Sequence, residues 1–298
     1  SRPLLVFYGG KYYYPLFQFY SEKTFGGIFD TEADYSDPVI KKEFAKAGNW
    51  VIYPPIPWDY KAINFNPELK HPSPPSTENW LGTDNRGRDV LSRLIYGFRI
   101  SLLFALVLAS VNALIGILIG SIEGYFGGKV DLIIQRIIEI WMSIPSLYAL
   151  ILIASIFQRS LVLMIVVLSL WEWVGPQSLI RVEFLRSRNL DYVKAARALG
   201  VSDLTIMGRH ILPNALTMVI TGFPFSIKEG MVALVGLDFL GLGVPPPTPS
   251  FGEGLAQALD NINAWWIGVP IITVLVMMIL LVNFVGEATL EVFDPKRR

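Results

Sequence analysis

Between Arg99 and Glu123 no residue carries a charge. At about 1.5 Å rise per residue, such a run makes a helix long enough for the roughly 30 Å hydrocarbon layer of a bilayer. In lipid the backbone must satisfy its own amides and carbonyls, and a helix does so within one segment. The rest of the chain fits a membrane solvent: 52% of its 298 residues are hydrophobic and its mean hydropathy is +0.46, more than a soluble domain of this length carries.

Four more such segments follow. The second covers residues 131–157, with Arg136 and Glu139 near its start and Pro145 as a bend. The third covers residues 161–180 and contains Glu172. The fourth, 211–235, has Pro213 in its first turn, where a missing amide donor does no harm, and Lys228 with Glu229 farther along. Trp265 and Trp266 stand at the start of the fifth, which ends near Gly286, as indoles anchor at a headgroup boundary. The fold class predicted is an all-α integral membrane protein with five transmembrane helices.

Charge gives the direction. The segment after the third span holds Arg181, Arg186, Arg188, Lys194, Arg197 and Arg209, the tail holds Lys296, Arg297 and Arg298, and the loop 236–264 has no Lys or Arg. The positive-inside rule then places the basic insert and the C-terminus in the cytoplasm and the N-terminal segment outside. Ser1 opens no signal peptide, so a preceding exporting element is expected. Over the whole chain 25 Lys and Arg balance 25 Asp and Glu, which leaves no net field to recruit nucleic acid. The absence of cysteine excludes disulfides, thiolate metal sites and cysteine nucleophiles.

The segment 1–80 is the expected extracytoplasmic part, rich in Tyr, Phe and Pro. Residues 4–17 read as two strands joined at Gly9 and Gly10. Asp37, Pro38 and the residues up to Gly48 read as a capped helix with a glycine stop, and the proline-rich stretches 53–58 and 71–76 as connections. This segment is either a lid on the spans or a docking surface for a soluble partner. Residues 81–99, with Thr83 and Asp84 at a turn, read as an interfacial helix leading into the membrane domain 100–290, which a tail at 291–298 follows.

The most informative stretch is the basic insert 183–213. Helix formers from Tyr192 to Leu199 end at Gly200, which can close a helix in the left-handed conformation, and Ser202 with Asp203 can cap the next helix. The result is a helix, an elbow and a second helix. Ala195, Ala196 and Gly200 offer small side chains to an approaching surface, with Asp191 and Arg197 at its flanks. Leu212 and Pro213 lead straight into the fourth span, so a displaced elbow would move a transmembrane helix. An ordinary loop helix obeying the positive-inside rule is the plainer alternative.

Lys194 to Gly200, then nine residues, then His210 to Asn214 resembles the EAA loop of ABC importer permeases: Ala195, Ala196, Gly200, Leu212 and Pro213 match its spacing. Lys194 replaces the pattern's Glu and His210 its Ile, as in the dipeptide and oligopeptide branch. Residues 81–102, 124–131 and 238–255 are also similar to that branch, and the aromatic N-terminal segment resembles the Yej-type subgroup, implicated in uptake of oligopeptides and peptide antibiotics such as microcin C. The resemblance implies a type I ABC importer permease fold with six spans, the first of them before Ser1, in a bacterial inner membrane. It also implies a second homologous permease, two ATP-binding subunits, an extracytoplasmic solute-binding protein, and ATP with magnesium in the ATPases rather than in this chain.

Glu172 is the candidate for lining a cargo path, because a carboxylate at mid-bilayer costs roughly 2.5 to 3.5 kcal/mol on insertion scales and so faces water or a partner. Pairing with the second permease or solvation near the cytoplasmic boundary are its alternatives. Lys228 and Glu229 point about 100° apart on a helix, and Arg136 and Glu139 are spaced to pair. His71 and His210 fall in different compartments. Residues 124–129 lack phosphate-loop spacing, and Val130 stands where Ser or Thr would hold magnesium. No catalytic centre, resident cofactor or metal is predicted. A nucleotide-independent secondary transporter and a membrane scaffold are the rival functions.

Overall fold

The computed structural model describes residues 2–293 apart from 36, 57 and 65–69. The tail residues Lys296, Arg297 and Arg298 lie outside the described residues. The chain divides into two compact units, Ser1–Arg93 and Leu94–Arg298.

In the first unit β1 (Leu5–Tyr8) and β2 (Lys11–Tyr13) form an antiparallel hairpin, with Gly9 and Gly10 both at positive φ, as a two-residue turn between right-twisted strands requires. The helix α1 (Pro38–Phe44) starts where Asp37 accepts a hydrogen bond from the Val39 amide at 2.6 Å, and it stops sooner than expected, before Gly48. A third strand, β3 (Trp50–Ile52), pairs with β1 in the order β2-β1-β3. The unit is therefore mixed rather than all-α. The aromatic richness of the segment has a simple cause: the fully buried Phe25 is surrounded by the rings of Tyr8, Tyr13, Tyr20, Tyr35 and Phe44, with centroids 5.2 to 6.0 Å away.

A knot of buried polar groups ends this unit. Asp84 accepts from the amides of Arg86 and Arg88, and the Arg88 guanidinium sits on its other oxygen at 2.6 Å. Asp89 accepts from Asn79 and from the Ser92 amide, at 2.8 and 2.7 Å, which caps the next helix. Burial pushes the Asp89 carboxyl up, against these hydrogen bonds.

The expected interfacial helix over 81–99 is not a separate element. Residues up to Asp89 form the turn, and from there α2 (Val90–Phe126) runs unbroken. Nothing between Val90 and Arg99 interrupts helical hydrogen bonding, so the surface pattern and the span merge.

The second unit is helical. The expected second span is two helices, α3 (Gly128–Met142) and α4 (Ser146–Ile156), bent by 65° at Pro145. The bend leaves the Ile144 carbonyl for the Trp171 indole N–H, at 3.1 Å, a donor that a lipid environment would not provide. Then come α5 (Leu161–Glu172) and α6 (Val174–Ser187), α7 (Asp191–Ala198), the single turn α8 (Asp203–Thr205), a π-helical turn (Ile206–Ile211), α9 (Leu212–Phe239), α10 (Phe251–Asp260) and α11 (Trp265–Phe293). Four of these helical stretches are long and apolar enough to cross a membrane, five if the bent pair counts as one. The α11 surface leaves Leu280, Leu281, Phe284 and Val285 uncovered, as a lipid or subunit-facing helix does.

The backbones of α2 and α6 approach each other closely. A Cβ on Gly116 would lie 2.6 Å from the Gln177 amide nitrogen, one on Gly120 2.5 Å from the Gln177 carbonyl oxygen, and one on Gly124 2.5 Å from Phe184 Cβ. Three glycines at intervals of four make one smooth stripe that lets the backbones meet. Because residue numbers rise together along both helices, α2 and α6 run parallel.

Candidate functional site

The elbow forms where expected. α7 ends in two hydrogen bonds, Gly200 N to Arg197 O at 3.0 Å and Val201 N to Ala196 O at 3.1 Å, the pair that defines a Schellman stop. Gly200 has φ +78°, with nothing within 4 Å of where a Cβ would stand. Its glycine is required by conformation, not by space.

The outward and inward residues differ from expectation. Asp191 and Ala195 are exposed, and Arg197 as well. Ala196 instead is buried with Val193, Ile206, Ile211 and Ala215 in the core beneath the elbow. Successive helical residues are about 100° apart, so of two neighbouring alanines one turns in when the other turns out. The outer surface that Ala196 was expected to help form is made by Leu199 and Leu204, 84% and 81% exposed on either side of Gly200.

Ser202 stands at the start of α8, but its hydroxyl pairs with that of Thr205 at 2.8 Å rather than with a backbone amide. The Asp203 carboxylate is engaged by the Tyr125 hydroxyl. Tyr125, from the end of α2, also lies under the Arg197 guanidinium, 5.4 Å from ring centroid to Cζ, and its carbonyl accepts from Arg188 at 3.2 Å. One buried ring thus holds both arms of the elbow to α2. The Tyr125 hydroxyl pushes the Arg197 guanidinium up, so Arg197 stays charged.

Pro213 stands in the first turn of α9, as expected, but that helix follows the π turn without a break. The chain continues from Asp203 through the π turn into α9, and Leu212 and Pro213 lie within this continuous path. A proline ring collides with the carbonyl four residues back and offers it no N–H; the widened π turn just before Pro213 relieves both conflicts without a break. His210, in that turn, is half-buried.

Beside the elbow a buried polar network joins three helices. Glu123, 0% exposed, accepts from Gln135 at 2.6 Å, from Gln177, and from Arg181 Nε at 3.1 Å. Arg181 also forks onto Asp131, at 2.5 and 2.9 Å. Two carboxylates share one guanidinium, and removing it strands both. Arg181→Met is expected to cost about 3 kcal/mol, seen as a melting temperature about 5–10 °C lower in nanodiscs. Adding Glu123→Gln and Asp131→Asn should recover part of the loss, and an unchanged melting temperature in the single variant would refute the network's role.

Glu172 lies at the end of α5 against a cavity of about 320 Å³ between α2, α6 and α9, lined by Asn112, Glu172, Leu179, Phe223, Phe225 and Glu229 among others. Asn112 Nδ2 donates to Glu172 Oε2 at 3.2 Å. Glu229 lines this cavity, while Lys228 sits over the Phe225 ring at 5.3 Å. Arg136 and Glu139 form the expected exposed pair at 2.5 Å. Among the described residues no group of acidic, histidine or cysteine side chains could hold a metal. Sequence reasoning missed Tyr125, Asn112 and the Glu123 network; polar residues inside an otherwise uncharged run were the available signal.

Long apolar helices, a buried polar network and an elbow continuous with a span define a helical protein of the membrane type. The chain belongs to the family described as binding-protein-dependent transport system inner membrane component, which matches residues 112–298. It is 44% identical over 297 residues to the inner membrane ABC transporter permease protein YejE of Escherichia coli strain K12, covering 100% of this chain and 87% of that protein. It is 42% identical to the peptidoglycan transport system permease protein YejE of Agrobacterium fabrum, over 100% and 84%, and 34% identical to the dipeptide transport system permease protein DppC of Bacillus subtilis, over 76% and 71%. A chain of the MetNI methionine ABC transporter, solved in inward-facing conformations, superimposes with a TM-score of 0.58 at 18% identity, over 68% of this chain and 97% of that one. That likeness gives the fold, a type I ABC importer permease.

Proposed function

We propose that this chain is one permease subunit of an ATP-driven importer for peptides in a bacterial inner membrane, paired with a second homologous permease, two ATP-binding subunits and an extracytoplasmic solute-binding protein. ATP and magnesium belong to the ATP-binding subunits, and the chain itself is not an enzyme. The observation that carries the reading is the continuity from Asp203 to Phe239: an elbow on an unbroken helical path can pass a push directly to a span. Asp191, Ala195, Arg197, Gly200, Leu199 and Leu204 form its outer surface; Ala196, Leu212 and Pro213 tie it to the core and to α9. Driven by the ATPases, the elbow switches the spans between outward-open and inward-open states.

Topology follows from the parallel course of α2 and α6. For both to cross in one direction the chain must return between them, and only the bent pair α3–α4 lies on that path, which supports counting it as one span, five in all. With the basic elbow in the cytoplasm, the N-terminal unit is then extracytoplasmic and the C-terminus cytoplasmic. Peptide cargo is supported by the names of the dipeptide and peptidoglycan transport relatives.

The test is reconstitution of the complete complex in vesicles. ATP-dependent uptake of a labelled tripeptide is expected only when binding protein and ATPases are both present, and disrupting the elbow should release the ATPases on purification. Uptake driven by an ion gradient with the chain alone would mark a secondary transporter instead. ATPases that stay attached after the elbow is disrupted would exclude it as their docking element.

A further inference from the structure

The cavity beside Glu172 brings three acceptor-bearing side chains into a largely apolar lining that holds no cation. Asn112 comes from the middle of α2, Glu172 from the end of α5 and Glu229 from α9. Asn112 is 4% exposed. Its amide nitrogen is committed to Glu172, which fixes the amide's orientation, since a carboxylate accepts but does not donate. Its Oδ1 is left buried with no hydrogen-bond partner among the described residues. A buried carbonyl without a donor is costly, and so are carboxylates in a low-dielectric span without a cation.

The neighbouring groups do not relieve this. Of the two serine hydroxyls on the wall, that of Ser178 donates to the Gly175 carbonyl at 2.8 Å, and that of Ser226 makes no hydrogen bond to the Asn112 oxygen. No Lys or Arg lines the cavity, and Lys228 is turned onto the Phe225 ring. Leu179, Val219 and Phe223 give the remaining wall an apolar character.

Three acceptor groups from three helices, with no cation among the lining residues, suit a group with three donors and a positive charge. We propose that Asn112, Glu172 and Glu229 form a transient binding site for an ammonium group of the transported peptide. A volume of about 320 Å³ is at the small end of ligand sites, enough for a peptide terminus or one side chain rather than a whole oligopeptide. This inference rests on the peptide-importer reading and adds to it the chemical feature of cargo that the permease itself recognises. An ammonium can come from the chain terminus or from a lysine, and the experiment separates the two.

The permease–ATPase complex in nanodiscs, without its binding protein, is titrated by saturation-transfer NMR with trialanine, N-acetyl-trialanine and N-acetyl-Ala-Lys-Ala. Trialanine is expected to bind about ten-fold more tightly than its acetylated form, as one charged hydrogen-bonded contact implies. Recovery by the lysine peptide would show that the site takes either ammonium; no recovery restricts it to the terminus. Glu172→Gln and Glu229→Gln should each reduce the preference to within two-fold, while Glu139→Gln, on an exposed pair far along the chain, should keep it. Equal binding of all three peptides to the wild type, or a preference untouched by both cavity variants, overturns the proposal. ATP-driven tripeptide uptake by the complete complex reports separately on the function: uptake without ammonium dependence removes this site alone, whereas no uptake removes the importer reading.

Discussion

Gly120→Leu is expected to abolish accumulation of the folded subunit, and even Gly120→Ala to lower its melting temperature by about 2–10 °C, as overpacking of roughly one to three kcal/mol would. The reason is geometric. The atom nearest a Cβ at this position is a backbone oxygen, that of Gln177, at 2.5 Å, with the Arg181 amide nitrogen and Ile180 Cβ at 3.1 Å. A clash with the end of a flexible side chain is relieved by rotation, but here the helices themselves must part. Separating α2 from α6 would also pull Glu123 from Gln177 and Arg181, so the packing loss is joined by a buried carboxylate losing its partners. Gly97→Ala, on the same helix, is the control. Its new methyl would meet the Phe251 ring at 3.7 Å, an ordinary contact, and a helical alanine is favoured over glycine by about 1 kcal/mol. Thermal denaturation in nanodiscs decides: if Gly120→Ala melts like Gly97→Ala, the stripe is not the contact described.

Much of this architecture is readable in the residues because it depends on local or one-dimensional signals. The uncharged runs give the spans, Gly9 with Gly10 gives the hairpin, Asp37 with Pro38 starts a helix, and Gly200 stops one. The failures share a different cause, dependence on a distant partner. Trp50–Ile52 is too short to read as a strand without knowing that Leu5–Phe7 lies beside it. Ala195 and Ala196 are alike in sequence, and only the position of Ile206 and Ile211 decides which turns inward. Pro213 is the first-turn proline its pattern suggests, but that pattern is the same whether or not a π turn precedes it, so the continuous path from Asp203 was not readable. The stripe Gly116, Gly120 and Gly124 is a small-residue pattern at helical spacing that sequence reasoning did not single out, and nothing in it names α6 as the partner. Asn112 was visible as a polar residue in an apolar run, while its unmatched oxygen required coordinates.

At the elbow the expected result concerns coupling rather than folding. Gly200→Leu should leave the subunit folded, because no atom lies within 4 Å of the added Cβ and the left-handed backbone costs an L-residue roughly 1–2 kcal/mol. In the reconstituted complex it should nonetheless cut both peptide uptake and the ATPase stimulation by peptide-loaded binding protein by about ten-fold or more, an energy of about 1.4 kcal/mol or above in docking or switching. The bulk falls between Leu199 and Leu204, the most exposed apolar side chains of the elbow. Gly200→Asn separates two causes, since asparagine tolerates the left-handed region better than leucine does. If asparagine preserves coupling, the Schellman stop and the angle it sets are what the ATPase reads; if asparagine fails as leucine does, the open surface itself is needed. Tyr125→Phe probes the other side of the joint: it keeps the ring beneath Arg197 but removes the hydroxyl that engages Asp203. Stimulation should fall in that variant while basal hydrolysis by the ATPases stays, because the arm leading into α9 would no longer be latched to α2. Wild-type stimulation and uptake in Gly200→Leu would mean that force reaches α9 by a route other than this bend.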